Sequence, residues 1–414
     1  MTIDTSSAAG PSRMPEIRVP GLLTLAGLVA GLLLGVLLKD AAVLPGVIAV
    51  AEPVGALWLQ GLKMTILPLV AGLLFTGVVE TVAAARAGAM ARRTLGFIAG
   101  LLAASALIGA IGMPLLLALT PAPAGLTPPP VVSPQAIPGI GDFARSLLPG
   151  NVFTAAAEDA ILPVIMFIAL FALASTRLAD APRRQLALLF EGLAGAMMIV
   201  IGWVLAVAPI GVFALGLTLA AQSGAAAIGT LAHYIVLVSS LGAVILVAAY
   251  PLARFVARLP LGPFSQAVLP VQVVAFSTQS SLASLPAMLA ASRKLGLGTT
   301  TAEFVLPLAV TLFRVTSPAM NIGAVIYAGH LAGIHPPPMA IVAGTLIAFV
   351  ITFGSVSLPG TVSFIASTGP IAAAMGIPLW PLGILVAVEM LPDIMRTVGN
   401  VTMNVAVVGA VDRE

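Results

Sequence analysis

Asp393 and Arg396 lie three residues apart in a helix-length stretch, Val388 to Asn404, with apolar runs on both sides. In a hydrocarbon setting this is the most restrictive feature of the chain. An ionised group at the centre of a bilayer costs at least about 2.5–3.5 kcal/mol, so such residues face a cavity or a partner rather than lipid. Positions 389, 393, 396, 400 and 404 recur every three or four residues and share one face of a helix. That face carries Glu389, Asp393, Arg396, Asn400 and Asn404, and the opposite face carries Val, Leu, Ile and Met. The pattern predicts a solute site looking into the interior of a helix bundle.

Composition supplies the bilayer. Of 414 residues, 60% are hydrophobic and 8% are charged. Soluble domains carry about 25% charged residues, so the chain reads as an all-α integral membrane protein with lipid as its surroundings. The apolar runs are continuous rather than alternating, which argues against a β-barrel. Gly (41) and Pro (33) are abundant for helical spans and point to broken or re-entrant helices. There is no cysteine, and His233, His330 and His335 are scattered, so neither a disulfide nor a metal site is expected. A net charge of +3, spread over a few loop residues, gives no reason to expect a nucleic-acid partner. No Ser/His or paired-Asp arrangement suggests catalysis, and no cofactor motif is present. The first apolar run, Gly21 to Leu38, is span-length without a convincing cleavage site and reads as a retained helix.

The basic residues set the topology. Arg13 and Arg18 precede span 1; Arg86, Arg92 and Arg93 follow span 2 (about 52–80); span 3 runs about 94–120. A Pro-rich linker without basic residues follows, taken as 122–142 and extracytoplasmic. Span 4 ends near Arg177, Arg183 and Arg184, span 5 covers about 185–220, and span 6 (about 229–252) closes at Arg254 and Arg258. Six crossings place the N-terminus and these clusters in the cytoplasm, and spans 7 and 8 bring the C-terminus back there. Arg293 and Lys294 are then cytoplasmic too, so residues 259–292 enter and leave on one side. A second such stretch, 338–372, enters from the other side, with span 7 (about 302–328) between the two and span 8 after them. Both tips read Ser-Leu-Pro, at 284–286 and 357–359. Eight spans plus two hairpins of opposite entry predict inverted repeats around a midplane site.

Several segments together resemble the dicarboxylate/amino acid:cation symporter family, that of the glutamate transporters. They are Leu62-Lys63-Met64-Thr65-Ile66-Leu67-Pro68-Leu69-Val70, Pro149-Gly150-Asn151-Val152-Phe153, Ile161-Leu162-Pro163 and Ala208-Pro209-Ile210-Gly211-Val212-Phe213-Ala214-Leu215. The serine-rich tip from Ser277 to Ser284, Val305-Leu306-Pro307-Leu308 and the Asp393/Arg396/Thr397/Asn400 helix complete the set. The resemblance runs from about residue 20 to 411. It implies a homotrimer in a bacterial cytoplasmic membrane, with an elevator mechanism. The scaffold would comprise residues 20–90 (spans 1 and 2) and 143–224 (spans 4 and 5), after a cytoplasmic tail, 1–19. The moving transport domain would comprise span 3 (91–121) and 225–411. By the same resemblance, Arg396 binds a substrate side-chain carboxylate, Asp393 its ammonium group and Asn400 its main-chain carboxylate. Thr397, Ser280, Ser281 and Ser317 fall at further substrate contacts, and Leu358 and Gly360 lie at the tip of the gating hairpin.

The chain departs from the family at its cation sites. The span 7 signature of sodium-coupled members is Asn-Met-Asp-Gly-Thr; counted without a gap, the positions here read Phe313-Arg314-Val315-Thr316-Ser317. With an insertion, Met320-Asn321-Ile322-Gly323 falls there instead. The sodium-ligating aspartate of span 8 falls at Asn404. Two carboxylates are missing together and a guanidinium, Arg314, has entered. Arg314, Glu389 and Asn404 are therefore the candidates for a cation surrogate or for coupling. The expected function is secondary transport of aspartate, glutamate or a related carboxylate without the usual sodium coupling. A proton-coupled C4-dicarboxylate transporter or exchanger, or a solute sensor of the same fold, are the alternatives.

Overall fold

Lipid offers backbone groups no hydrogen bonds, so an apolar chain must satisfy them internally, and this one does so with helices. The computed structural model describes residues 20–86, 88–121, 148–158, 160–223, 226–353 and 360–412. Among them every regular element is helical. The first three helices are α1 (Gly21–Leu38), α2 (Leu44–Ala85) and α3 (Ala89–Leu119). Next come α4 (Val152–Ala157), α5 (Ile161–Ser175), α6 (Asp180–Ala206) and α7 (Ala208–Ser223). Helix α8 (Ala226–Pro251) runs on through a π turn, Leu252–Val256. Then follow α9 (Leu261–Thr278), α10 (Leu285–Lys294), α11 (Thr299–Leu312) and α12 (Thr316–Leu331). The chain closes with α13 (Pro338–Thr352), α14 (Gly360–Ala374), α15 (Trp380–Leu385) and α16 (Met390–Asp412).

Among the described residues five helical stretches are long and apolar enough to cross a bilayer: Leu44–Ala85, Ala89–Leu119, Asp180–Ala206, Ala226–Val256 and Met390–Asp412. Large apolar side chains on their outer faces and on α1 are exposed, among them Leu22, Leu37, Ile111, Trp203, Val236 and Val247. Water would not tolerate such a surface and lipid does. The chain is a multi-pass membrane protein.

Spans 4 and 5, expected as single helices, are each divided, and so is span 7, where Thr316, Ser317 and Pro318 mark a break beside Arg314. Asn151 caps the short α4, its side chain accepting from the backbone N–H groups of Phe153 (2.8 Å) and Thr154 (3.4 Å), and α5 starts separately at Ile161. The second division falls at Val207, just ahead of Pro209, which cannot donate a hydrogen bond back into α6. The third is the segment 313–315, between Leu312 and Thr316. Hydropathy averages over the first two breaks, so in spans 4 and 5 the sequence shows one span where the backbone makes two.

Two sets of helices pack among themselves. In the first, α1 lies along α7, and α2 lies against α5, α6 and α7. Helix α1 approaches through Gly27, Gly31 and Gly35, spaced four residues apart. A Cβ on them would sit 2.4 Å from Pro209 O, 2.3 Å from Phe213 O and 2.5 Å from Leu217 O. Small residues at that spacing let two backbones meet. Phe75 of α2 stacks on Phe190 of α6, with ring centroids 4.0 Å apart. In the second set, α16 is the central helix, wrapped by α8, α9 and α11, with α3 and α12 beside it. It is buried without interruption from Arg396 to Val411.

Helices α9 and α10 pack on each other, as do α13 and α14. The first pair turns through Gln279, in the left-handed region at φ 50°, and through local serine bonds. Thr278 Oγ1 accepts from Ser280 N at 3.3 Å, Ser280 Oγ accepts from Ala283 N at 3.2 Å, and Ser284 Oγ donates to Ser280 O at 2.9 Å. The tip of the second pair, with Leu358, lies outside the described residues; Gly360 opens α14.

The α1–α7 contact yields a test. A leucine at Gly31 has backbone, not a pliable side chain, in its way, so Gly31→Leu should separate the helices at a cost of about 1–3 kcal/mol. Gly46, near the start of α2, has nothing within 4 Å of its Cβ position. Thermal unfolding in detergent should show a lowered transition for Gly31→Leu and no matching loss for Gly46→Leu.

Candidate solute site

The site is built where α16 meets α12 and α8. The helix begins at Met390, so Glu389 belongs to the turn 386–389 that precedes it rather than to the helix itself. Asp393 N donates to Glu389 O at 2.9 Å and carries the turn into the first helical turn. Arg396 then reaches back along its own element. Its Nη2 donates to Glu389 Oε1, and its Nε lies 3.2 Å from Asp393 Oδ1. On the other side Nη1 donates to Asn321 Oδ1 of α12 at 2.9 Å. The second oxygen of Glu389 accepts from Tyr234 OH of α8 at 3.0 Å. Glu389 is 1% exposed, Arg396 5% and Asp393 8%, so solvent does little to screen these charges. The guanidinium fork is planar, and three different elements fix its orientation.

Asn400 does not share that guanidinium. Its Oδ1 accepts from Thr316 N at 3.0 Å and lies 2.9 Å from Thr316 Oγ1, which is also 3.1 Å from Arg396 O. These bonds satisfy the first turn of α12 just after the break, where backbone N–H groups lack partners inside the helix. Thr397 Oγ1 donates to Asp393 O at 3.0 Å. Ser317 Oγ and Asn404 Oδ1 are buried and have no hydrogen-bond partner among the described residues. Asn404 Nδ2 has only a weak sulfur contact, 3.9 Å from Met288 Sδ. A buried polar atom left unpaired is costly, so Ser317 marks a spot beside Thr316 that a polar ligand would satisfy.

Arg314 occupies the break itself. It is half-buried, and its Nη1 donates to Ser363 Oγ of α14 at 2.8 Å. It thus ties the interrupted span to the second helix pair. Of the residues singled out in the sequence, Asp393, Arg396 and Glu389 come together, and Asn400 joins them through Thr316. Ser280 and Ser281 are half-buried in the turn of the first pair. Among the described residues no three His, Asp or Glu side chains converge as a metal site would require.

Three partners were not singled out as site residues: Tyr234, Ser363 and Asn321, the last present only in the gapped register of span 7. Tyr234 had a usable signal. A tyrosine in the middle of an apolar span must find a partner for its hydroxyl, and there are only three tyrosines to choose from. Ser363 had none, since a serine in a helical span ordinarily bonds its own backbone.

The sodium:dicarboxylate symporter family matches residues 21–414. Among characterised relatives, the proton/sodium-glutamate symport protein of Bacillus subtilis is 27% identical over 389 residues, covering 91% of this chain and 88% of that protein. The proton/glutamate-aspartate symporter of Escherichia coli is 29% identical over 64% of this chain and 60% of that protein. C4-dicarboxylate transport protein 1 of Pseudomonas aeruginosa is 26% identical over 65% of this chain and 60% of that protein. With helices throughout, apolar outer faces and a match over nearly its whole length, the chain belongs to the sodium:dicarboxylate symporter family, whose members are membrane transporters and not enzymes.

Proposed function

We propose that this protein is a secondary transporter of an acidic amino acid or a related carboxylate, with Arg396 as the carboxylate anchor. The observation that carries the reading is a buried guanidinium, oriented from three elements, on a helix that packs against the broken span. A guanidinium binds a carboxylate through two parallel hydrogen bonds, which fixes its orientation as well as its charge. Asp393, beside it, offers a site for an ammonium group. Ser317 Oγ is a free polar atom within the same region. The names of the relatives, symporters of glutamate, aspartate and C4-dicarboxylates, support this substrate class.

The two packing sets suit an elevator motion. Helices α1, α2 and α5 to α7 would stay fixed, in a trimer of the bacterial inner membrane. Helices α3 and α8 to α16 would carry the solute. Arg396→Ala should abolish binding of aspartate and glutamate by a purified protein that keeps its assembly state. Truncating a desolvated charge partner costs about 2–5 kcal/mol, so affinity should fall at least thirtyfold. Unchanged affinity would remove Arg396 from the role. Arg314 favours the dicarboxylate alternative, because its charge opposes that of Asp393. Competition decides between them: aspartate displaces label better than succinate if Asp393 selects an ammonium group, and the reverse holds for a dicarboxylate carrier.

Coupling should not follow the usual sodium scheme. Val315 and Asn404 stand where sodium-coupled relatives are expected to place carboxylates, and Arg314 brings a fixed positive charge to the second helix pair. Reconstituted protein should bind and take up substrate in medium with choline in place of sodium. A steep loss restored by sodium alone would overturn this.

A further inference from the structure

We propose that a groove between α3 and the π turn at the end of α8 binds an anionic phospholipid, with the phosphate at Arg93 and an acyl chain laid along α3. The site lies on the outer face of the second helix set and does not depend on Arg396. It begins with a gap in the side chains. On α3, Gly96 and Gly100 are exposed, and a Cβ on either would meet nothing within 4 Å. Glycines at the same spacing on α1 press against the backbone of α7. On α3 no described residue fills the gap. It is instead a groove of about 440 Å³, lined by Arg93, Gly96, Phe97, Gly100, Leu101 and Leu252. Sites for small apolar ligands span roughly 300–1,000 Å³. Leu252, on the far wall, opens the π turn Leu252–Val256, an uncommon element that often marks a functional site.

Charge gathers at one end of this groove. His233, near the start of α8, has its Nε2 2.8 Å from Thr120 O, at the end of α3. Arg93, near the start of α3, lines the groove with Leu252, at the end of α8. The two helices are therefore antiparallel, and the start of α3 and the end of α8 share one membrane face. Arg92 and Arg93 stand there from α3, with Arg254 in the π turn and Arg258 just after it, all exposed. None of these four side chains has a hydrogen bond or ion pair among the described residues. Arg183, Arg184 and Arg293, by contrast, each lie within 4 Å of an acid. Guanidinium groups without counter-ions take phosphate through paired hydrogen bonds. Basic pockets between membrane helices bind anionic headgroups in this way.

The length fits as well. From Arg93 to Ala104 an α-helix rises about 16 Å, close to half of the roughly 30 Å hydrocarbon core. Over that stretch Gly96, Gly100, Ala103 and Ala104 are exposed, and large exposed side chains return only at Leu107 and Ile111. The furrow thus has the depth of one leaflet and a basic mouth. A soluble anion would use the arginines and leave the furrow empty. A zwitterionic lipid would fill the furrow and leave the positive charge unbalanced. An anionic phospholipid uses both.

Native mass spectrometry of the purified, delipidated full-length protein tests this. It is titrated with phosphatidylglycerol or with phosphatidylcholine of the same acyl chains, and affinity, stoichiometry and the number of chains in the assembly are read together. Expected is one tightly bound phosphatidylglycerol per chain. The double variant Arg93→Gln with Arg254→Gln should weaken it about twentyfold, at roughly fivefold for each basic residue near an anionic headgroup. Gly100→Leu puts its side chain into open space, so the fold persists, and it should weaken both lipids while every arginine remains. Arg183→Gln with Arg184→Gln, in another basic cluster, should leave the affinity unchanged. Equal affinity for the two lipids overturns the proposal, as does full affinity in the Arg93/Arg254 variant. Full phosphatidylglycerol affinity in Gly100→Leu reduces the effect to surface charge and overturns the site. If Gly100→Leu instead lowers the number of chains in the assembly with lipid binding unchanged, a second copy covers the groove and the lipid does not. An equal loss in the Arg183/Arg184 variant shows attraction without a site and overturns it too.

Discussion

The guanidinium of Arg396 is the group the rest of the site is arranged around. A positive charge inside an apolar bundle is tolerable only if its partners are held in place, and here they come from three elements: the turn before α16, α16 itself and α12. Replacing such a cluster by apolar residues of similar volume often stabilises a protein, so stability alone is a weak reason for its presence. The proposed role of Arg396 as a carboxylate anchor supplies a better one.

The broken spans make this geometry available. An unbroken span 7 would run past α16 with its backbone fully bonded, offering only side chains. Interrupting it at 313–315 frees the first N–H groups of α12, and Asn400 takes one of them. Likewise, the end of helical structure at Leu385 and its return at Met390 put Glu389 in a turn, from which its carboxylate meets both Arg396 and Tyr234. Pro318 and Pro392 lie in the first turns of α12 and α16, where a missing N–H costs no helical bond, and these helix starts sit inside the protein, where protein and not lipid covers them.

How much of this was legible in the sequence depends on distance along the chain. Asp393 and Arg396 could be read together because helical periodicity fixes neighbours three and four residues apart. The same periodicity placed Glu389 on that helix face, although its backbone lies one residue outside the helix. The two helix pairs could be located because each has a polar, proline-marked tip between apolar arms. Tyr234 lies 155 residues from Glu389, Asn321 75 from Arg396, and Ser363 49 from Arg314. No local pattern encodes such pairings; they follow from how whole helices pack. The divisions of spans 4 and 5 were hidden for a different reason, since a few non-helical residues barely change the hydropathy of a long apolar run.

Segment 313–315 links the second helix pair to the candidate site. On one side Arg314 bonds Ser363, in the arm of the second helix pair. On the other, Thr316 bonds the side chain of Asn400 and the backbone oxygen of Arg396. Three non-helical residues thus stand between α14 and the candidate site. A charge at 314 suits that position better than a bound ion would in one respect. An ion must bind each time to hold the segment, whereas a tethered guanidinium holds it permanently, without the entropic cost of recruiting a ligand. What it gives up is control, because a permanent charge cannot report an ion gradient.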